Sequence, residues 1–317
     1  MSLFNLRTEI KKVKPSIKES TLRTYMSAAR KLQKEVLALS STRPVLSLDW
    51  VNRATLTFLK ESRNRSTSNI FLILLKIKKS PLYPEALRFY KSLVAQNNNR
   101  VAENELSQSQ SDNYATHKEL TDLKNRLGDE LNIGKTLRTT RISKARLDEL
   151  SFICYLKLVT EFPPLRNDYS TLMVASVVPT SGNAIVRQNS KWYIVLNDYK
   201  TSRAHGQYKE VLPNELSKFI TRYVRKLKKN NGSKSLFQKS DGSSYSRNGF
   251  VKWAGRHFRE TLGKVPTISL IRRAYVNFRF PAQSSLNDRR EVARKMAHSV
   301  SEQLSTYTIA ERTTSAR

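Results

Sequence analysis

The sequence predicts a mainly α-helical chain with one small antiparallel β-sheet (α+β): a helical N-terminal body followed by a mixed α/β C-terminal body. Three observations lead there. About the first hundred residues carry apolar side chains at helical spacing. Residues 96–115 are polar and almost free of core-forming side chains, the composition of a linker. Beyond them, residues 192–196 (Trp-Tyr-Ile-Val-Leu) and 208–212 (Tyr-Lys-Glu-Val-Leu) are short β-prone runs. The polar, Gly-containing segment between them reads as the turn region of a hairpin.

In chain order, Ser20 or Thr21 caps a first helix that continues through Leu22, Tyr25, Met26, Ala29 and Leu32. A second starts near residues 47–49 and runs through Trp50, Val51, Leu56, Phe58 and Leu59. A third follows Ser66, Thr67 and Ser68, turning Ile70, Leu72, Leu74 and Leu75 inward while Lys76, Lys78 and Lys79 stay wet. A fourth begins after Pro84 and buries Ala86, Leu87, Tyr90, Leu93 and Val94. Helical pattern returns at 116–131 and 143–160, then the hairpin, then helix again beyond Pro213 with breaks at 230–233 and 240–243. The boundaries expected are a helical body over 1–97, a linker and connecting helix over 98–140, and a second folded body over 141–317.

The 317 residues include 57 Lys and Arg against 26 Asp and Glu, a formal net charge of +31. That excess draws the chain to a polyanion. Residues 1–100 hold 20 basic and 6 acidic side chains (+14), residues 101–150 hold 8 and 9 (−1), and residues 151–317 hold 29 and 11 (+18). Two basic bodies around a neutral segment suit a clamp on a duplex; a uniformly basic surface, as in ribosomal proteins, is the plainer alternative. The longest apolar run, residues 70–77, is too short to span a bilayer, so no membrane partner is expected. Arg7, Glu9, Lys11 and Lys12 interrupt any secretory apolar region, and the lone Cys154 excludes an internal disulfide framework or a Cys-rich zinc site. An intracellular chain built to hold DNA or RNA is expected.

Candidate chemistry gathers in the C-terminal body. Arg166 follows Phe162, Pro163 and Pro164 at a helix end; Lys200 lies in the hairpin turn; Arg272 and Arg273 share a helix with Ser269 one turn earlier; Tyr307 comes nine residues after His298. Each has an ordinary alternative: a solvated or phosphate-positioning arginine, a structural histidine, or a tyrosine packing an apolar face.

Their order carries more than any one of them. The segment Ile271-Arg272-Arg273-Ala274-Tyr275, the run Met296-Ala297-His298-Ser299 and the pair Thr306-Tyr307 resemble the motifs of the phage-integrase family of tyrosine recombinases. Ser20-Thr21-Leu22-Arg23-Thr24-Tyr25 is similar to the opening of that family's helical core-binding domain, so the resemblance spans nearly the whole chain. It implies the tyrosine-recombinase fold and site-specific cleavage and rejoining of double-stranded DNA through a 3′-phosphotyrosyl link, without ATP, metal or other cofactor. It also implies four protomers assembled on paired sites, exchanging strands through a Holliday junction; the chain's departures from the family's cellular-type motifs point to a viral or mobile-element integrase. Tyr307 would be the nucleophile, Arg166 and Arg272 the phosphate clamp, Lys200 the general acid and His298 a phosphate or proton-transfer partner. Arg272 is favoured over Arg273 and Arg279 because Ile271 and Tyr275 then take the family's apolar positions; Arg203 and Lys209 compete with Lys200. Two positions depart from the pattern. Ser269 fills a slot usually held by His or Lys, and Tyr169 fills one usually acidic, with Asp168 just before it. A type IB topoisomerase, which shares this constellation, and a non-catalytic basic DNA-binding protein are the alternatives.

Overall fold

The computed structural model describes residues 4–102, 105–231, 234–280 and 285–297, together with Glu302, Gln303 and Tyr307. The chain divides into two compact units, Met1–Val101 and Ala102–Arg317.

Unit 1 is helical. Asn5, Asn52 and Asn64 each accept a backbone N–H at the start of α1 (Leu6–Val13), α3 (Arg53–Ser62) and α4 (Arg65–Ile77), satisfying donors that a helix start leaves unpaired. α2 (Glu19–Val36) has no side-chain cap, and α5 (Tyr83–Ala102) completes the set. In α4 every residue from Ile70 to Leu75 is buried, so this helix is the centre against which α1 and α2 pack. Each such Leu or Ile contributes about 1.5–3 kcal/mol on burial. Three expectations are corrected. α1 was not expected at all. α2 begins at Glu19, ahead of Ser20 and Thr21. The second expected helix loses its first turn, because Trp50 and Val51 fill the core from a bend and Asn52 starts the helix.

Unit 2 opens with α6 (Gln108–Asp112), α7 (His117–Glu130), α8 (Ile133–Arg138) and α9 (Lys144–Thr160). The polar run 96–115 thus carries the end of α5 and the capping-box helix α6, and the Asn113 side chain accepts the Val265 N–H at 2.9 Å. Thr116 and Ser143 cap α7 and α9. α9 is buried around most of its circumference from Leu147 to Thr160 and packs against α7 and two later helices, α11 (Asn214–Asn231) and α13 (Ile268–Arg279).

Beside it lies a four-stranded sheet in the order β1-β2-β3-β4: β1 (Leu172–Ala175), β2 (Asn183–Gln188), β3 (Lys191–Leu196) and β4 (Tyr208–Val211). β3 and β4 form the expected antiparallel pair, Leu196 opposite Tyr208, and β2 extends it antiparallel. β1 joins β2 in parallel, which makes the sheet mixed where an antiparallel one was expected; neither β1 nor β2 is among the strands expected from the sequence. α10 (Ser202–His205) sits in the β3–β4 connection. α12 (Arg247–Leu262) and α14 (Leu286–Lys295) complete the described elements. Among the described residues no helix is long and apolar enough to cross a membrane.

Candidate active site

The loop after α9 is held from two directions. Tyr169, fully buried, accepts the Leu165 backbone N–H on its hydroxyl at 2.9 Å, and Arg272 donates to the Pro164 carbonyl at 2.6 Å. Arg166, the next residue, is thereby fixed where α9 gives way to the sheet. Tyr169 occupies the slot where a carboxylate was looked for. The carboxylate stands one residue earlier: Asp168 is 6% exposed, and burial raises its pKa while Arg247, Arg166 and Arg272 oppose the rise.

Arg272 is the centre of the cluster. It lies on the inward face of α13, which Thr267 caps, and is wholly buried. Its guanidinium donates to Pro164 and, at 3.1 Å, to the Met296 carbonyl. Arg166 donates to the next carbonyl along, Ala297, at 3.2 Å, so the two guanidiniums converge on consecutive carbonyls. α14 presents these carbonyls because Tyr208 of β4 donates to the Lys295 carbonyl at 2.7 Å and Arg294 pairs with Glu210. Ala297 leaves the helix at φ +52°, the left-handed region that glycine favours.

Tyr307 completes the cluster. It is 4% exposed, packed with Tyr275, Val276, Phe280, Val292 and Met296. Its ring centroid lies 4.6 Å from the guanidinium carbon of Arg272, and Asn277 donates to its backbone carbonyl at 3.0 Å. Burial lowers the Arg272 pKa; the charge interaction and side-chain hydrogen bond with Tyr307 oppose this, and Arg166 adds to it. Arg272 stays a cation, since an arginine pKa has far to fall before pH 7. Glu302 lies 3.5 Å from the guanidinium of Arg166.

Lys200 is exposed in the β3–β4 connection. Buried Asn183, at the start of β2, fixes the base of that loop: its carbonyl oxygen accepts the N–H groups of Asn197 and Asp198, and its amide donates to Thr171 and the Asp198 carbonyl. Tyr199 donates to the Gly206 carbonyl at 3.0 Å and draws the loop in. Arg247 stands 3.8 Å from both Asp168 and Asp198, linking the Arg166 loop to the Lys200 loop.

The structure therefore brings together Arg166, Arg272 and Tyr307, with Lys200 on a loop tied to the same strand ends. Ser269 is exposed one turn before Arg272, and Arg273 is buried on the adjoining face of α13. His298 lies outside the described residues. Asn183 and Glu302 were not foreseen. Asn183 looks like an ordinary strand residue, and Glu302 is one carboxylate in a basic segment. Their contacts span distances along the chain that local pattern does not encode.

No family model matches the chain, and no curated protein matches it. Solved structures do. A lambda integrase dimer bound to a COC′ core site is 14% identical with a TM-score of 0.50, over 100% of this chain and 80% of that one. The lambda integrase (75–356) dimer on the same kind of site is 13% identical with a TM-score of 0.49, over 98% and 95%. XerA recombinase is 12% identical with a TM-score of 0.42, over 95% and 92%. At such identities the first of these shows a shared fold: a mainly helical chain with a small mixed sheet, the architecture of lambda integrase.

Proposed function

We propose that this chain is a tyrosine-type DNA recombinase, an integrase that cleaves and rejoins double-stranded DNA through a covalent bond to Tyr307. The observation that carries this is the convergence of two arginines and one tyrosine in unit 2, Arg166 and Arg272 on consecutive carbonyls and Tyr307 on Arg272. The motif order in the sequence and the likeness in fold to an integrase bound to its core site support it.

Attack by the Tyr307 oxygen on a phosphodiester forms the P–O bond to tyrosine and breaks the bond to the 5′-oxygen, leaving a 3′-phosphotyrosyl link. Negative charge rises on the non-bridging oxygens, and Arg166 and Arg272 answer it with forked donors in a site shielded from water. The departing 5′-oxygen takes a proton from Lys200, whose loop is anchored at its base and exposed beyond. His298 bonds a phosphate oxygen or takes the Tyr307 proton. The phosphotyrosine conserves the energy of the broken bond, so a 5′-hydroxyl reverses the step without ATP or metal. The charge of +14 and +18 on either side of a near-neutral segment gives each body the means to hold duplex DNA; four protomers on paired sites are what the motif resemblance implies.

The test is a nicked suicide substrate that releases a short 5′ fragment on cleavage. A protein band shifted by DNA on a denaturing gel is the expected result. Failure to form it on any sequence of a genomic fragment library would leave a non-catalytic DNA-binding protein. Relaxation of supercoiled plasmid by a monomer would point to a type IB topoisomerase.

A further inference from the structure

A second basic feature stands apart from this cluster. α11 exposes Lys218, Arg222, Arg225 and Lys229 at intervals of four, three and four residues, which places them on one face. At 1.5 Å per residue the row is about 16 Å long. Beside it opens a cleft of about 680 Å³ between the helix and the sheet, lined by Arg187, Trp192, Thr221, Arg225, Lys228 and Lys234 among others, and among the described residues no acidic side chain lines it. Among the described ion pairs α11 contributes only Lys218 with Glu215, at its first turn. Lys226, buried behind the row, bonds the carbonyl and hydroxyl of Thr139, neutral acceptors that leave its charge uncancelled.

The position of this face separates it from the catalytic cluster. β2 meets β3 with Asn183 opposite Leu196 at the Lys200 end and Arg187 opposite Trp192 at the other. Four residues of strand put about 13 Å between these two ends. Phosphate held at Arg166 and Arg272 would not reach Arg187, Arg225 and Lys228.

We propose that α11 and the adjoining end of β2 form a second DNA-binding face, which takes the phosphate backbone of a duplex segment other than the one at Tyr307. Duplex DNA presents one phosphate per about 1.7 Å of axis, so a row of this length meets about ten, of which those on the near side lie in reach of the row and cleft. Contacts of this kind read backbone and not sequence. A surface of this kind lets one protomer hold the duplex it cuts and a neighbouring segment together. It does not depend on Tyr307 being the nucleophile.

The experiment is mass photometry of the full chain with a random-sequence duplex of about 20 base pairs, in low salt, scoring complexes of one chain with two duplexes. Wild-type protein is expected to populate them. Arg187→Gln/Arg225→Gln/Lys228→Gln/Lys229→Gln is expected to lose them at least tenfold while one-duplex binding changes less than threefold. The salt dependence of second-duplex binding should flatten by about three to four units, close to one per lost phosphate contact. Arg225→Lys/Lys228→Arg, which keeps the charge, should retain the two-duplex complex; its loss would make the residues structural and overturn the proposal. Unchanged two-duplex complexes in the quadruple variant, or first and second binding falling in step, would overturn it as well. So would capture of phosphatidylserine vesicles by the same face with no second duplex bound. The suicide-substrate result is read separately: covalent attachment without two-duplex binding sinks this inference alone, and the reverse sinks the catalytic assignment alone.

Discussion

The guanidinium of Arg272 lies against the ring face of Tyr307, 4.6 Å from its centroid, so the most buried cation of the site is covered by the residue proposed to do the chemistry. A desolvated contact of this type is worth about 2 kcal/mol. The ring makes this contact, and the hydroxyl adds a side-chain hydrogen bond to Arg272. Tyr307→Phe keeps the ring and loses that hydrogen bond, and should cost about 0.5–1.5 kcal/mol in urea unfolding. Tyr307→Ala should lose about 3 kcal/mol, because it also empties the space beside Val276, Phe280 and Met296. A large loss in the Phe variant would mean that the hydroxyl, and not the ring, secures the cluster.

Lys200→Ala should slow cleavage of ordinary DNA by about 10²–10⁴-fold, the usual contribution of a general acid. A substrate with sulfur in place of the leaving 5′-oxygen departs without a proton and should be cleaved by the variant at nearly the wild-type rate. Equal slowing on both substrates would turn attention to Arg203 and Lys209, which lie in the same connection and on β4.

Glu302 stands 3.5 Å from the Arg166 guanidinium, which the proposed function assigns to a phosphate oxygen. Both side chains are partly exposed, 21% for Arg166 and 39% for Glu302, so the pair is worth at most about 1 kcal/mol. Glu302→Gln should tighten DNA binding by about two- to fivefold at low salt, with the gain fading as salt screens the site. Anisotropy titrations at two salt concentrations read this. Weaker binding would show that Glu302 supports Arg166 instead of competing for it.

How far this could be seen beforehand differs between elements. α7 and α9 are legible because Thr116 and Ser143 announce them, α7 ahead of apolar residues at helical spacing and α9 ahead of a long, largely apolar run. α1 is not, since only Leu6 and Ile10 form its buried face. Trp50 and Val51 mislead because a bend can feed the core as well as a helix can. In the site, the order of Arg166, Arg272 and Tyr307 along the chain points to those residues. What joins them is invisible to pattern: the carbonyls of Pro164, Met296 and Ala297, reached across loops and helices far apart in sequence. The displaced carboxylate Asp168 is a similar case, because only the folded loop shows which of two neighbours turns toward the arginines.

Ala297 carries a left-handed backbone at the point where α14 hands its carbonyls to the arginines. An L-residue in that region costs about 1–2 kcal/mol. Glycine removes this cost but gives back about 0.5–1 kcal/mol in chain entropy. Ala297→Gly should thus stabilise the protein by about 0.5 kcal/mol, seen as a higher urea midpoint with an unchanged slope. Destabilisation would mean that the methyl group's packing outweighs the backbone strain.

His117 makes stability depend on pH. Burial lowers its pKa, the hydrogen bond it donates to the Thr160 carbonyl at 3.0 Å opposes the shift, and Lys124 adds to it. Its ring stacks on Phe278 at 4.0 Å. Because the folded pKa lies below the ordinary value, the unfolded chain takes up the proton first as pH falls. The stability this histidine contributes is therefore complete above about pH 6.5 and is lost as pH falls through the folded pKa. The melting temperature should drop between about pH 7 and pH 5, and His117→Gln should drop less over the same range. Parallel curves for the two proteins would remove His117 as the source.

The most direct measurement is to locate the covalent bond itself. Protein trapped on a suicide substrate is digested with nuclease and protease, and the peptides are sequenced by mass spectrometry. The expected result is a nucleotide remnant on the peptide containing Tyr307, fragmenting as an ester of the tyrosine oxygen, and absent from Tyr307→Phe. A remnant on any other residue, or its persistence in the Phe variant, would contradict the assignment of Tyr307 as the nucleophile.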